Sequence, residues 1–362
     1  MDLFRRYVPV AVLLAAVIGV QLATHFTDTP YYLTQLTMSA YYSMVVLGLC
    51  LVMGYAGQIS LGHAGFFAIG GYISAALTTH NLAAFQDNPL LGFCARAGLL
   101  VSRPDLYGDT LLNFHPWAAC IIAILVTIAI AFAIGSPVLK LKGHYLAMAT
   151  LGFGIIIYRI ALASEYFGEA DGISEVPAFT LLPGIEVSGG FGARVMNYYI
   201  AWGLLILGMI LLLNLIHSRV GRALRSIHGS EEAANAMGVN TAQYKLYTFV
   251  LSAVFAAVAG VLITHYNGGI GPSEAGVMKS VRYVAIVAVG GMANLWGALI
   301  MGVILNFLSL RGVFGSYDDA VFGGILILIM LFAPAGILRL NIWPKIKFLL
   351  GRQDSPEKRE TK

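Results

Sequence analysis

Charge is what this sequence has least of. Asp and Glu number 18 and Lys and Arg 22 in 362 residues, 11% together, against about 25% in an ordinary soluble domain. Apolar residues make up 58%. Such a composition excludes a soluble enzyme and a nucleic-acid-binding domain, so no nucleic acid is expected as a partner. The net charge of +4 has to be read loop by loop. Cysteine is also scarce. Cys50, Cys94 and Cys120 are odd in number and lack metal-ligand spacing, so neither a disulfide framework nor a metal site is expected. No GxxxxGK followed by Ser or Thr, no HExxH and no GxSxG occurs. No cofactor is expected, and the chain reads as a non-catalytic protein.

The longest gap in charge says most. Between Asp28 and Asp87 there is no Asp, Glu, Lys or Arg. A lipid-buried segment of that length must pair its own backbone groups, so it should be helical. Yet its middle reads Gly54-Tyr55-Ala56-Gly57-Gln58-Ile59-Ser60-Leu61-Gly62-His63-Ala64-Gly65. Polar, broken backbone at membrane depth is tolerated only where protein or a watery path covers it.

A spanning helix takes roughly 20 apolar residues. Ten candidates follow: 7–25, 33–54, 61–79, 116–138, 144–163, 197–217, 243–266, 279–291, 293–310 and 320–339. The eighth is short and reads as a half-helix. Residues 1–25 resemble a secretory leader but lack a small-x-small cleavage site, so an uncleaved first span is expected. With the N-terminus in the cytoplasm, Arg5, Arg6, Lys140, Lys142, the basic residues of 218–245 and the basic tail 340–362 all fall inside. The acidic loop 164–196 falls outside. Both termini are then cytoplasmic. No Asp or Glu lies centrally in these spans. Arg159, near the outer end of the fifth, is the one charge well inside, and is expected to snorkel outward.

A second Gly-rich break, Gly290-Gly291-Met292-Ala293-Asn294-Leu295-Trp296-Gly297, lies in the other half of the chain. Paired breaks of this kind point to a transport path between two halves, which five spans each would set in opposite orientations. Close helix packing is the alternative use of such glycines. Packing is the expected role of Ser252, Ala256 and Gly260, at four-residue spacing on one helix. The candidate path residues are Gly54, Tyr55, Gly57, Gln58, Ser60, Gly62, His63, Gly65, Gly290, Gly291, Asn294 and Trp296. His63 reads equally well as a buried, hydrogen-bonded helix terminus.

Residues 218–244 form a polar interruption. Arg219, Arg222 and Arg225 recur at three-residue spacing near one helical face. Ser230 can cap a short helix with Glu231 and Glu232 in its first turn, where negative charge is favourable. Ala233, Ala234, Ala236 and Met237 give it a small apolar face, and Gly238 ends it. The helix either docks on a cytoplasmic protein or lies on anionic membrane lipid through its arginines.

These stretches resemble a known family. GYAGQISLGHAGFFAIGGY (54–72), LKLKGHYLAMATLGFG (139–154), the 218–260 segment and VAVGGMANLWGALIMG (287–302) resemble the permease subunits of ATP-binding-cassette importers for branched-chain amino acids, the LivH/LivM family and more nearly its LivM type. The resemblance implies an all-α polytopic membrane protein, residues 1–362 forming a single permease domain of a bacterial inner-membrane importer. It implies two ATPase subunits pressed against 218–244, a second related permease making a heterodimer, and a periplasmic substrate-binding protein. Alternating access would be driven by ATP hydrolysis in those partners. Glu231, Ala233, Ala234 and Gly238 match the loop that docks in a groove of the ATPase, with Arg219, Arg222, Arg225 and Lys245 beside them. Lys140, Gly143 and Tyr145 match a basic cytoplasmic turn. The long outer loop 80–115 departs from the family pattern. The cargo implied is Leu, Ile or Val, with urea, short amides or other small amino-acid-like solutes as the alternative. A secondary transporter acting alone is the rival class.

Overall fold

The computed structural model describes residues 2–81, 98–104, 110–141 and 143–332. Among them are twelve α-helices and three antiparallel strand pairs. The first half holds α1 (Asp2–Phe26), α2 (Tyr31–Cys50) running into a π-turn at Leu51–Tyr55, and α3 (His63–Thr79). It continues with hairpin β1–β2 (Leu100–Pro104 and Thr110–Phe114), α4 (Pro116–Val138) and α5 (His144–Ala163). There follow β3 (Ile173–Ser174), hairpin β4–β5 (Phe179–Leu182 and Ile185–Val187), α6 (Arg194–His217), and the short helices α7 (Arg219–Gly229) and α8 (Glu231–Ala236). The chain closes with α9 (Thr241–Asn267), β6 (Gly269–Ile270), α10 (Val277–Gly290), α11 (Leu295–Leu310) and α12 (Asp318–Phe332).

Long apolar runs with few backbone breakers leave the chain no way to satisfy its amides in lipid except by helices. Each of the ten segments read from the sequence falls on one. Six are long and apolar enough to cross a membrane: α1, α2 with its π-turn, α4, α5, α6 and α9. The other four, α3, α10, α11 and α12, have 17, 14, 16 and 15 described residues. At its 1.5 Å rise, α10 reaches about 21 Å, short of a hydrocarbon core of about 30 Å. It is a half-helix by length.

The all-helical expectation needs a correction in three loops between helices, where the strands lie. One pair has a consequence for the site. Ile173 and Ser174 pair with Ile270 and Gly269, tying the 164–193 loop to the chain that leaves α9. Gly172 permits this. Its φ is +72°, and a Cβ there would lie 2.2 Å from the Ile270 carbonyl oxygen. Residues 82–97, with Cys94 and most of the apolar stretch 89–101, lie outside the described residues, as do Lys142 and the tail 340–362.

The centre of the bundle is α2. Of its most apolar stretch 89% is buried in protein, against 11% for α1, which lies on the periphery beside α6. Around α2 pack α6, α9, α10 and α11. The tightest seam joins α3 and α9. A Cβ on Gly260 would meet the Phe67 carbonyl oxygen at 2.0 Å, and one on Gly70 the Ala257 carbonyl oxygen at 2.4 Å. Small residues here bring two backbones together, which is the role expected of Gly260.

Candidate translocation and coupling sites

The two Gly-rich breaks touch. After α2 the chain opens through its π-turn into extended backbone, which ends at the N-terminus of α3. A Cβ on Gly54 would sit 2.1 Å from the backbone nitrogen of Ala293. Ala293 holds the left-handed conformation, with φ +62°, at the turn between α10 and α11. That turn is itself closed by glycine: a Cβ on Gly297 would lie 1.9 Å from the Gly290 oxygen. Asn294 caps α11 by accepting from the Gly297 nitrogen at 3.2 Å.

This geometry divides the candidate path residues. Gly54, Gly62, Gly65 and Gly290 sit in close contacts; a Cβ on Gly62, for instance, would meet the Thr150 carbonyl oxygen at 2.7 Å. Gly291, with φ +93°, C-caps α10. Tyr55 is buried. His63 is fully partnered. Its Nδ1 bonds Ser60 Oγ at 3.1 Å and its Nε2 bonds Ser252 Oγ at 2.6 Å. The reading of His63 as a buried helix terminus is the one its contacts favour. Ser252 thus does more than pack. His265 repeats the pattern at the other end of the α3–α9 seam, bonding Ser74 Oγ at 2.8 Å. Trp296 lies elsewhere, in an apolar groove of about 540 Å³ with Trp202 and residues of α1.

Gly57 and Gln58 differ from the rest. Both line a cavity of about 300 Å³ with Leu146, His228, Glu231 and Lys245. Gln58 is 1% exposed, and neither end of its amide has a partner. Gly57 is left-handed, at φ +67°, and a Cβ there would lie 2.9 Å from His228 Nδ1. His228 is on α7. The broken segment therefore abuts the 218–244 loop directly, a contact of which spacing in the sequence offers no sign.

In that loop Ser218 caps α7, accepting from the Val220 nitrogen at 3.1 Å, and Ser230 caps α8, accepting from the Ala233 nitrogen at 3.3 Å. Gly221, Leu224 and Ile227 bury one face of α7, while Arg219 and Arg222 stay exposed. Arg225 folds back onto the Ile216 carbonyl at the end of α6. Glu231 turns inward. Both its oxygens accept from Lys245 Nζ at 2.9 Å, and Lys245 is buried on α9. Thr241 Oγ1 also donates to Glu231, at 3.3 Å, and to Asn235 at 3.1 Å. Ala234 is buried beneath the helix. Ala233, Ala236 and Met237 face outward with Gly238, and Met237 is 85% exposed. Two sides of α8 are thus distinct, one clamped to α9 and one apolar and uncovered.

Comparison with known proteins decides the family. Residues 31–330 match the family described as "Branched-chain amino acid transport system / permease component". The chain belongs to this family. The branched-chain amino acid permease LivM of Salmonella typhimurium is 31% identical over 87% of this chain and 72% of its own length. LivH of Escherichia coli K12 is 28% identical over 85% and 96%, and BraD of Pseudomonas aeruginosa 28% over 85% and 96%. No solved structure matches. The chain is thus a transport permease and a membrane protein, as its apolar helices require.

One group of this permease was missed. It is Glu274, in the turn 267–278 that the sequence reads as an outer loop, whose partners were not legible there. Its carboxylate oxygens each lie 3.3 Å from the Tyr42 hydroxyl, and Lys279 Nζ lies 2.9 Å from Oε1. Tyr42 is eleven residues into α2, so about 16 Å from its N-terminal end. Pro272 and Ala275 are buried, and the turn around them packs on α3 and α5. The strand pair β3–β6 and the Gly172 turn hold the chain that leads into this segment. The only trace in the sequence is an acid and a base five residues apart across the start of a half-helix. Arg159, by contrast, is exposed near the C-terminal end of α5.

Proposed function

We propose that this permease is the membrane subunit of an ATP-driven importer carrying branched-chain amino acids across a bacterial inner membrane by alternating access. It works as a heterodimer with a second, related permease. Two cytoplasmic ATPase subunits supply the energy, and a periplasmic binding protein delivers the solute to the outer loops. Both termini are cytoplasmic. The similarity to the branched-chain amino acid permeases LivM, LivH and BraD supports the cargo. Urea or short amides remain the alternative cargo on the same machine.

One observation carries the reading: α8 is clamped to α9 on one side and presents Ala233, Ala236 and Met237 uncovered on the other, while His228 just before it sits over Gly57. A load applied to the outer side of α8 therefore reaches the broken segment within one contact. The ATPase groove occupies that outer side. The polar cavity at Gln58 is the inner end of the path, and Gln58 finds its missing partners in passing solute or water. The charged pair Glu274–Lys279 favours a second reading, since ion-coupled transporters working alone use intramembrane acids.

Co-purification in mild detergent, followed by uptake in proteoliposomes, tests both readings. The importer requires ATPase subunits and a second permease in the eluate and leucine uptake that needs ATP and binding protein. Uptake by this chain alone under an ion gradient would sink that reading.

A further inference from the structure

Glu274 and Lys279 are an odd pair for a membrane protein to keep. Their side chains are 21% and 23% exposed, so the pair is not sealed inside the chain. Ser273 and Met278 beside them are exposed on the same stretch. Charges at this depth cannot face hydrocarbon at tolerable cost, so this face meets either protein or a watery path. A purely structural pair would be expected to saturate its neighbours, and this one does not. The hydroxyls of Tyr72 and Tyr283 are buried and have no partner. The Tyr283 ring lies 6.4 Å from that of Tyr42, and Tyr72 packs in one apolar cluster with Ala275, the residue after Glu274. Tyr283 and Lys279 also border a cavity of about 20 Å³ beside Tyr42, room for about one water. The Glu274–Lys279 pair thus has two unused hydroxyls near it and, on the Lys279 side, a small void whose other cation, Arg282, is already paired with Asp318 and Asp319.

We infer that Glu274 and Lys279 form a mid-membrane station for a solute that carries an ammonium and a carboxylate at once, an α-amino acid zwitterion. The inference rests on the importer reading above and names a recognition site within it. The solute's ammonium takes the place of Lys279 on the Glu274 carboxylate. The solute's carboxylate takes the place of Glu274 on Lys279, with the Tyr42 hydroxyl between the two, and the Tyr283 hydroxyl gains a partner. Charge is conserved in the exchange. Empty, the station is one neutral ion pair; loaded, it is two. A free amine or a free acid would leave one protein charge unpaired at membrane depth, which costs far more than an exposed pair is worth. An uncharged amide would gain nothing by opening the pair. The long stems of Glu274 and Lys279, which start from the turn before α10 and its first turn, can part without moving a helix.

The test is equilibrium binding of radiolabelled leucine to the purified permease–ATPase complex, without binding protein, in competition with isoamylamine, isovaleric acid and isovaleramide. In wild type all three should compete at least tenfold worse than leucine. Glu274→Gln should lose at least tenfold in leucine binding while isovaleric acid becomes a relatively better competitor. Lys279→Met should do the reverse with isoamylamine. That crossed selectivity is a change a merely structural pair would not produce. Tyr283→Phe removes a hydroxyl with no partner in the empty protein, so it should assemble normally and weaken leucine about fivefold, the worth of one hydrogen bond. Leucine binding unchanged in Glu274→Gln, or an equal loss for every competitor, would overturn the station. So would an unaffected Tyr283→Phe should the charge variants fail to assemble. ATP-driven leucine uptake by a complex whose binding ignores all these changes would leave the importer reading intact and refute this inference alone.

Discussion

The clamp between α8 and α9 makes the sharpest prediction. Lys245 Nζ is held by both oxygens of Glu231, with side-chain exposures of 8% and 28%. Removing one partner of a fully buried pair costs about 3–5 kcal/mol, because a charge is stranded. Glu231 is more than a quarter exposed, so water relieves part of that, and about 1–3 kcal/mol is the better figure for Glu231→Gln. The six-residue α8 cannot hold itself as a helix, since so short a segment barely passes nucleation. Its seat is this pair, the Thr241 bond and buried Ala234. Losing about 2 kcal/mol shifts the seated helix about thirtyfold toward the unseated state. ATP hydrolysis should continue while solute moved per ATP falls. The double variant Glu231→Gln with Lys245→Met should recover much of the loss, since two matched neutral groups strand no charge. The assay is a double-variant cycle on uptake per ATP in proteoliposomes, where a coupling of about 1–2 kcal/mol is expected. Additive losses, or normal coupling in Glu231→Gln, would refute the clamp.

Further predictions rest on single contacts. Gly57→Ala forces a Cβ into a left-handed position and against His228; a cost of about 1–2 kcal/mol is expected, with uptake reduced while the protein still reaches the membrane. Normal uptake would mean that the Gly57–His228 contact transmits nothing. Ser252→Ala strips His63 Nε2 of its partner and should lower the melting temperature of the purified complex by the worth of an unmet buried group, about 1–3 kcal/mol. An unchanged melting temperature would return Ser252 to simple packing. Cysteine at Ser174 should be labelled by an impermeant reagent from outside, and cysteine at Met237 only after the inner face is opened. The reverse pattern would invert the topology.

The helices were legible because hydropathy and backbone satisfaction both demand them. So was the cap at Ser230, since a hydroxyl before an acidic turn has one good use; the cap at Ser218 came only with the structure. Contacts were not. Glu231 reads from its position as a docking charge, yet its carboxylate faces Lys245 fourteen residues on, because α8 and the base of α9 fold back on each other. Glycines at 54 and 290 read as path residues, with packing as the alternative; only the approach of Ala293 and Gly297 shows how tightly they pack. Glu274 was hidden for another reason. Hydropathy treats a polar turn between apolar runs as an outer loop, and it cannot see that the fold brings Tyr42 of α2 against the acid in that turn.

The meeting of Gly54 with Ala293 has a mechanical meaning. Where helices touch through side chains, rotamer changes cushion small displacements. Here backbone bears on backbone, without even a methylene from Gly54 between them. A joint of that kind has almost no give, since packed interiors compress little. It pins the end of α2 to the turn between α10 and α11, so that one cannot shift along the other without parting the contact.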